Sequence, residues 1–128
     1  MSRIPVIENQ KLLSQLCRSA LTAAKHTVVM AVNGEDGVAE ALRAKPDQVI
    51  LDLNLPGISG SEVANAQEKL GVLPETPLII ATALDEGARS TADTFGAVAL
   101  LPKSFHLNTL LAQVDPELSF TAWKQSST

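Results

Sequence analysis

Polar side chains that could carry out phosphoryl chemistry directly follow short apolar runs in this sequence. They are Glu8, Asn9, Asp52, Thr82 and Lys103. Carboxylate and amide oxygens are ligands that a hard cation such as Mg²⁺ prefers, and a carboxylate can also attack phosphorus as a nucleophile. A hydroxyl and an ammonium group can meet the oxygens of the transferred group and neutralise their charge. The set therefore indicates transfer of a phosphoryl group to Asp52, assisted by Thr82 and Lys103, with a cation nearby.

These residues can act together only if the fold brings the ends of the apolar runs to one place. Short aliphatic runs alternate with amphipathic stretches five times, which is typical of βαβ units that build a parallel sheet covered on both faces. The predicted strands are residues 4–7, 27–31, 48–53, 78–83 and 97–101, and the predicted helices are about 10–24, 34–44, 61–70, 85–96 and 107–114. Ligands of such sheets bind beyond the carboxyl ends of the strands. The sequence therefore predicts an α/β fold with one site at that edge.

The composition fits a single globular domain. The chain has 128 residues, of which 45% are apolar and 19% charged, so it can bury a sufficient core. The net charge is -4 with a pI near 5.0, and no run of Lys and Arg occurs, which argues against direct nucleic-acid binding. No signal-peptide core or membrane-length apolar stretch is visible, and the single Cys17 cannot form an internal disulfide. We therefore expect a cytoplasmic protein without membrane insertion.

Three segments together resemble the receiver domains of two-component response regulators. VILDLNLPGISG is similar to the family's pattern around an aspartate at the end of the third strand, IIATA to its apolar run into a Thr and a small residue, and LLPKSF to its Lys-Pro-Phe corner. The matching positions are Asp52, Leu53, Asn54, Leu55, Pro56, Gly60, Thr82, Ala83, Lys103 and Phe105. The resemblance implies a receiver domain over residues 1–118, followed by a tail or the start of a linker at 119–128.

The family resemblance also implies a topology and a set of roles. The fold would be a doubly wound, flavodoxin-like sheet in the order 2-1-3-4-5, with the first and fifth helices on one face and the other three on the opposite face. Because the first strand is then interior, Pro5, which cannot donate to a ladder, is predicted at its start. Asp52 would accept a phosphoryl group from a histidine kinase or a histidine phosphotransfer protein, making the chain a signalling phosphoacceptor rather than an enzyme. Mg²⁺ would be bound by the side chains of Glu8, Asn9 and Asp52 and by the backbone carbonyl of Asn54.

Three residues depart from the family's usual pattern. Asn9 stands where a second acidic residue is usual, Leu100 where the switch has an aromatic residue, and Ser104 where a proline follows the lysine. Asn9 could ligate a cation or cap the first helix, and both interpretations stay open. Without an aromatic residue at Leu100, we expect a signal to leave through the fourth helix, fifth strand and fifth helix by movement of the backbone and Thr82. That signal would pass to an output domain or to a second copy of the chain.

Other functions are possible on this topology. A pseudo-receiver binds its partner without being phosphorylated, and Asn9, Leu100 and Ser104 favour it. A flavodoxin needs a loop rich in Gly, Ser and Thr after the first strand and aromatic residues against the flavin, whereas ENQK occupies that loop and aromatic residues are 3% of the chain. A haloacid-dehalogenase-type phosphatase needs its nucleophilic Asp after the first strand, where this chain has Glu8. The receiver interpretation accounts for more of the motifs than these alternatives do.

Overall fold

A computed structural model of the chain describes residues 3–43, 45–73, 76–83, 86–103 and 107–114. Within them, strands and helices alternate as the sequence predicts, and their bounds lie within two residues of the predicted ones. The strands are β1 (Arg3–Ile7), β2 (Thr27–Ala31), β3 (Val49–Leu51), β4 (Leu78–Thr82) and β5 (Ala99–Pro102). The helices are α1 (Lys11–Ala23), α2 (Gly34–Arg43), α3 (Gly60–Lys69), α4 (Glu86–Phe95) and α5 (Leu107–Val114).

The strands form one parallel sheet in the order β2-β1-β3-β4-β5, which confirms the predicted order. Ile7 at the end of β1 lies opposite Leu51 at the end of β3. Leu51 in turn lies opposite Ile80, and the last residue of β4, Thr82, pairs with Pro102 at the end of β5. This register sets the residues that follow β1, β3 and β5 side by side at one edge of the sheet.

Each face of the sheet has its own hydrophobic core. Side chains of α1 and α5 pack with one set of strand residues, including Ile4, Val6, Ile50 and Ile79. The other core contains residues of α2, α3 and α4 packed on the alternate strand positions, including Ile7, Val49, Leu51, Leu78 and Ile80. Successive strand residues point to opposite faces, so a central strand buried on both faces is apolar throughout. The predicted division of helices between the faces is confirmed.

Pro5 lies in the middle of β1, so the prediction that it marks the start of the strand is wrong. It is paired with Val29 of β2. The carbonyls of Arg3 and Ile7 accept hydrogen bonds from the β3 side, and alternate residues of a parallel strand face the same neighbour. The missing donor of Pro5 therefore faces β3, where the paired register begins only at Val6. The proline thus leaves the β1–β2 ladder intact.

The strand β5 begins two residues later than predicted because of how α4 ends. Gly96 has a positive φ of 65°, a left-handed conformation that commonly closes helices. The N–H of Ala97 then donates to the carbonyl of Ala92 at 2.9 Å. Ala97 therefore belongs to the helix cap, and β5 starts at Ala99.

Some predictions concern residues outside the described ranges. These are the departure at Ser104, the motif residue Phe105, and the end of the predicted domain with its tail at 119–128. Within the part of the chain that the structure describes, no helix combines the length and the apolar composition needed to cross a bilayer.

Candidate functional site

The predicted site residues meet at the carboxyl edge of the sheet. Glu8 follows β1, Asp52 follows β3, Thr82 ends β4 and Lys103 follows β5. Glu8, Asp52 and Thr82 are only 4%, 2% and 1% exposed. Buried charges must be paired to be tolerated. The partner of both carboxylates is Lys103.

Lys103 bridges the two carboxylates. Its Nζ lies 2.9 Å and 2.8 Å from Oε1 and Oε2 of Glu8, and 2.9 Å from Oδ2 of Asp52. An ammonium group has three N–H donors, so these contacts can occupy all of them. One positive charge thus offsets two negative charges, and the three side chains together carry a net charge of about -1.

The protonation of this group follows from burial and from the ion pairs. Burial raises the pKa of Glu8, while hydrogen bonds from Lys103 and from the N–H of Gln10, 2.9 Å from Oε2, act in the opposite direction. Burial alone would lower the pKa of Lys103, but hydrogen bonds to Glu8 and Asp52 raise it overall. Lys103 therefore stays protonated beside Asp52 and Glu8.

Asn54 contacts both Asp52 and Thr82. Its backbone N–H donates to Oδ1 of Asp52 at 3.0 Å, and its side-chain amide donates to Oγ1 of Thr82 at 3.4 Å. The two oxygens of Asp52 therefore face different donors, a backbone N–H on one side and Lys103 on the other. This arrangement orients the carboxylate.

An open cleft of about 320 Å³ gives access to this group. Its lining is Asn9, Gln10, Asp52, Asn54, Ala83 and Lys103. Asn9 is exposed at the cleft. It does not cap α1, because the N-cap residue of that helix is Gln10. Gln10 itself makes no side-chain capping bond. The capping interpretation of Asn9 is therefore wrong, and its interpretation as a cation ligand stays a prediction.

The oxygen atoms at the cleft suit a hard cation. Asp52 supplies a carboxylate, and Asn9 and Asn54 supply amide or carbonyl oxygens, which are the donor types of Mg²⁺ sites that retain several waters. Among the described residues, no group of three or more His, Cys, Asp or Glu side chains could hold a metal. Glu8 is absent from the cleft lining, and both its oxygens contact Lys103. The donors therefore fit Mg²⁺, with Glu8 less accessible than the sequence predicts.

Two contacts in the site carry no sequence signal. The bond from Gln10 to Glu8 uses a backbone N–H, which any residue but proline could supply. The amide of Asn54 meets Thr82 across 28 positions of sequence, and only the register of β3 and β4 brings the two together.

Leu100, predicted to replace an aromatic switch residue, lines a separate groove of about 290 Å³ between α4 and β5.

Similar sequences are found among known proteins. The sequence model of the response regulator receiver domain family matches residues 4–115 of this chain. Response regulator ArlR of Staphylococcus aureus is 32% identical over 115 residues, which are 89% of this chain and 51% of ArlR. The chain therefore spans about half the length of the curated relatives it matches.

Similar folds are found among solved structures. Response regulator protein TrrA of Thermotoga maritima, in complex with Mg²⁺ and BeF, has a TM-score of 0.78 at 30% identity, covering 91% of this chain and 98% of that one. Chemotaxis protein CheY4 of Vibrio cholerae has a TM-score of 0.81 at 24% identity, with the same coverage of 91% and 98%. The likeness to CheY4 shows the fold alone.

Proposed function

The chain belongs to the response regulator receiver domain family, and from this premise we propose that Asp52 accepts a phosphoryl group from a phosphohistidine. The observation that carries the proposal is the state of Asp52. Its carboxylate is 2% exposed, oriented by the N–H of Asn54 and paired with Lys103 at the floor of an open cleft. A purely structural aspartate would not need an access route.

The proposed reaction transfers one phosphoryl group between two side chains. A carboxylate oxygen of Asp52 forms a bond to phosphorus as the P–N bond to the donor imidazole breaks, and the leaving imidazole takes up a proton. As the attacking oxygen of Asp52 becomes bonded to phosphorus and loses its charge, one N–H of Lys103 passes from Asp52 to a phosphoryl oxygen. The hydroxyl of Thr82, which accepts a hydrogen bond from the side-chain amide of Asn54, donates its own hydrogen to another phosphoryl oxygen. The chain thus acts by positioning and charge neutralisation.

Receiver domains typically bind Mg²⁺, and we propose the same cofactor here. The side chains of Asp52 and Asn9 and the backbone carbonyl of Asn54 would hold it, and Glu8 would act through its negative charge. When bound, the cation neutralises charge that develops on the phosphoryl oxygens. TrrA, the relative named above, was solved with Mg²⁺ and BeF.

The proposed donor is a histidine kinase or a histidine phosphotransfer protein. A donor that reaches Asp52 must cover the mouth of the cleft at Asn9 and Gln10, where α1 begins. Leu12 and Leu16 follow within two turns of that helix and are 71% and 44% exposed. Exposed apolar side chains beside a cleft are suited to burial against a partner. These two leucines would therefore contribute to docking of the donor.

The signal is proposed to leave through α4, β5 and α5, toward an output domain or a second copy of the chain. Leu100 lies half-buried in the groove between α4 and β5, beside Arg89 and Asp93 of the helix. Movement of Thr82 would be transmitted to this groove because β4 is paired with β5 through Thr82 and Pro102. The proposed compartment is the cytoplasm, and no direct contact with nucleic acid or membrane is part of the proposal.

One observation favours the second candidate, a pseudo-receiver. Lys103 already neutralises much of the charge of Glu8 and Asp52, and Asn9 adds none. The site is therefore closer to neutral than one with a third carboxylate, and would attract a divalent cation less strongly. A pseudo-receiver would keep the ion pairs of Lys103 with Glu8 and Asp52 permanently.

Intact-protein mass spectrometry separates the two candidates. The chain is incubated with a small acyl or amidate phosphodonor in the presence of Mg²⁺ or of a chelator. The proposal predicts a gain of one phosphoryl group that requires Mg²⁺ and is lost in Asp52→Asn. A wild-type chain that stays unmodified at every Mg²⁺ concentration would favour the pseudo-receiver.

A further inference from the structure

Glu35, on the first turn of α2, contacts the loop that follows Asp52. We propose that Glu35 is a positioning residue that fixes this loop, residues 53–60, and thereby sets the orientation of Asp52 and the affinity of the site for Mg²⁺. This inference rests on the proposed function. It assigns a role to a residue on a helix that contributes no side chain to the cleft lining described above.

The first turn of α2 holds the tip of the loop in two ways. Oε1 of Glu35 accepts a hydrogen bond from the backbone N–H of Ile58 at 3.2 Å. The neighbouring Gly57 has φ +76°, and a Cβ there would lie 2.7 Å from the same oxygen, so the carboxylate sits directly over the turn. A Cβ at Gly34 would lie 2.5 Å from Cγ1 of Ile58. The loop tip is therefore seated against the backbone of α2 and tethered by one carboxylate.

The other end of the loop rests on Asp52 itself. The N–H of Gly60 donates to the carbonyl of Leu53 at 3.0 Å. A Cβ at Gly60 would lie 2.4 Å from the Cα of Leu53 and 2.5 Å from the carbonyl oxygen of Asp52. Ser59, which lies between Ile58 and Gly60, is fixed by a capping box with Glu62 at the start of α3. Residues 58–60 thus form a short rigid connection from the Glu35 contact to the backbone of Asp52.

A shift of residues 58–60 would displace the two backbone groups of Asn54 that the site uses, its N–H and its carbonyl. Its N–H orients Oδ1 of Asp52 at 3.0 Å, and its carbonyl is a proposed cation ligand. Loss of one typical hydrogen bond corresponds to a factor of about two to ten in an equilibrium constant. We therefore expect removal of the Glu35 carboxylate to weaken Mg²⁺ binding by about that factor, without any contact between Glu35 and the cation.

The experiment compares three variants of the full chain. Glu35→Ala removes the acceptor, Glu35→Gln keeps an acceptor oxygen but removes the charge, and Asp36→Ala removes the same charge from the same exposed turn. Mg²⁺ affinity is measured by calorimetry, and hydrogen exchange of the Asn54 and Gly60 amides is measured by NMR, with the core residue Leu110 as the reference.

The proposal predicts that Glu35→Ala weakens Mg²⁺ binding by about two- to tenfold and speeds exchange at Asn54 and Gly60 while Leu110 is unchanged. Glu35→Gln should restore most of both properties, and Asp36→Ala should resemble the wild type. Equal effects of Glu35→Ala and Asp36→Ala, unchanged exchange of the loop amides, or a uniform rise that includes Leu110 would each overturn it. If the wild type binds no Mg²⁺ and accepts no phosphoryl group, the proposed function fails. The exchange of the loop amides then still decides whether Glu35 positions the loop.

Discussion

Replacing Lys103 by methionine should lower the free energy of unfolding by about 3–5 kcal/mol at pH 7, the usual cost of removing one partner from a buried ion pair. The side chains of Glu8 and Asp52 are 5% and 2% exposed, and Lys103 is 21% exposed. At 2.8 Å and an effective dielectric constant of about 20, one such pair is worth roughly 6 kcal/mol before desolvation is counted. Because desolvation offsets much of that attraction, the expected loss falls below the Coulomb value for even one pair.

The loss should depend on pH with a definite sign. Burial raises the pKa of Glu8 in the folded chain, and removal of Lys103 removes the hydrogen bond that counteracts this effect. The native state then binds more protons than the unfolded state above the ordinary pKa of a glutamate, so stability falls as the pH rises through that window. Lys103→Met should therefore be less destabilising at pH 5 than at pH 7.

Urea unfolding followed by far-ultraviolet circular dichroism measures both effects. Lys11→Met is the matched control, because Lys11 is exposed at the start of α1, and it should change the free energy of unfolding by less than about 0.5 kcal/mol. A loss below about 1 kcal/mol for Lys103→Met, or the same loss at both pH values, would refute the interpretation of Lys103 as the partner of two buried carboxylates.

Three further predictions concern other residues. Gln67 is fully buried, and its amide has no hydrogen-bond partner among the described residues. Gln67→Met should therefore raise the free energy of unfolding by about 1–2 kcal/mol. A variant that is less stable than the wild type in urea unfolding would contradict this. Burial raises the pKa of Cys17 to about 11, so about one thiol in a thousand is ionised at pH 8. A thiol reagent should therefore label the native chain far more slowly than the urea-unfolded chain, and equal rates would refute the burial argument. Asn9→Asp should move the midpoint of a Mg²⁺ titration of phosphorylation to lower concentration by very roughly ten- to a hundredfold, and identical titrations would show that Asn9 is not a ligand.

Much of the fold could be predicted because hydrophobic periodicity determines where strands and helices form. The central strand β3 is a continuous apolar run and β4 is apolar up to its last residue, Thr82, as expected for strands covered on both faces. The order of the strands came from the family resemblance rather than from periodicity. The placement of Pro5 was wrong because the direction in which a backbone N–H points depends on the register with each neighbour, and no single-strand pattern contains that information.

The candidate site could be predicted only as a set of residue types. Because Glu8, Asp52 and Lys103 follow predicted strands, the sequence predicts that they lie at the same edge of the sheet. The contact of both Glu8 oxygens with Lys103 depends instead on how far each side chain extends along that edge. The contact of Glu35 with Ile58 spans 23 positions and uses a backbone donor, which leaves no mark in the sequence. Burial of Gln67 within α3 is likewise set by tertiary packing.

The most direct test of Asp52 as the phosphoacceptor is the chemical identity of the modified residue. An acyl phosphate is reduced by borohydride to an alcohol, so a phosphorylated aspartate becomes homoserine and can be located by peptide mass spectrometry. After reaction with a phosphodonor and Mg²⁺, we expect homoserine at position 52 and unmodified carboxylates elsewhere. Absence of homoserine at position 52 in a chain that has gained a phosphoryl group, or reduction at Glu8 instead, would contradict the assignment of Asp52 as the phosphoacceptor.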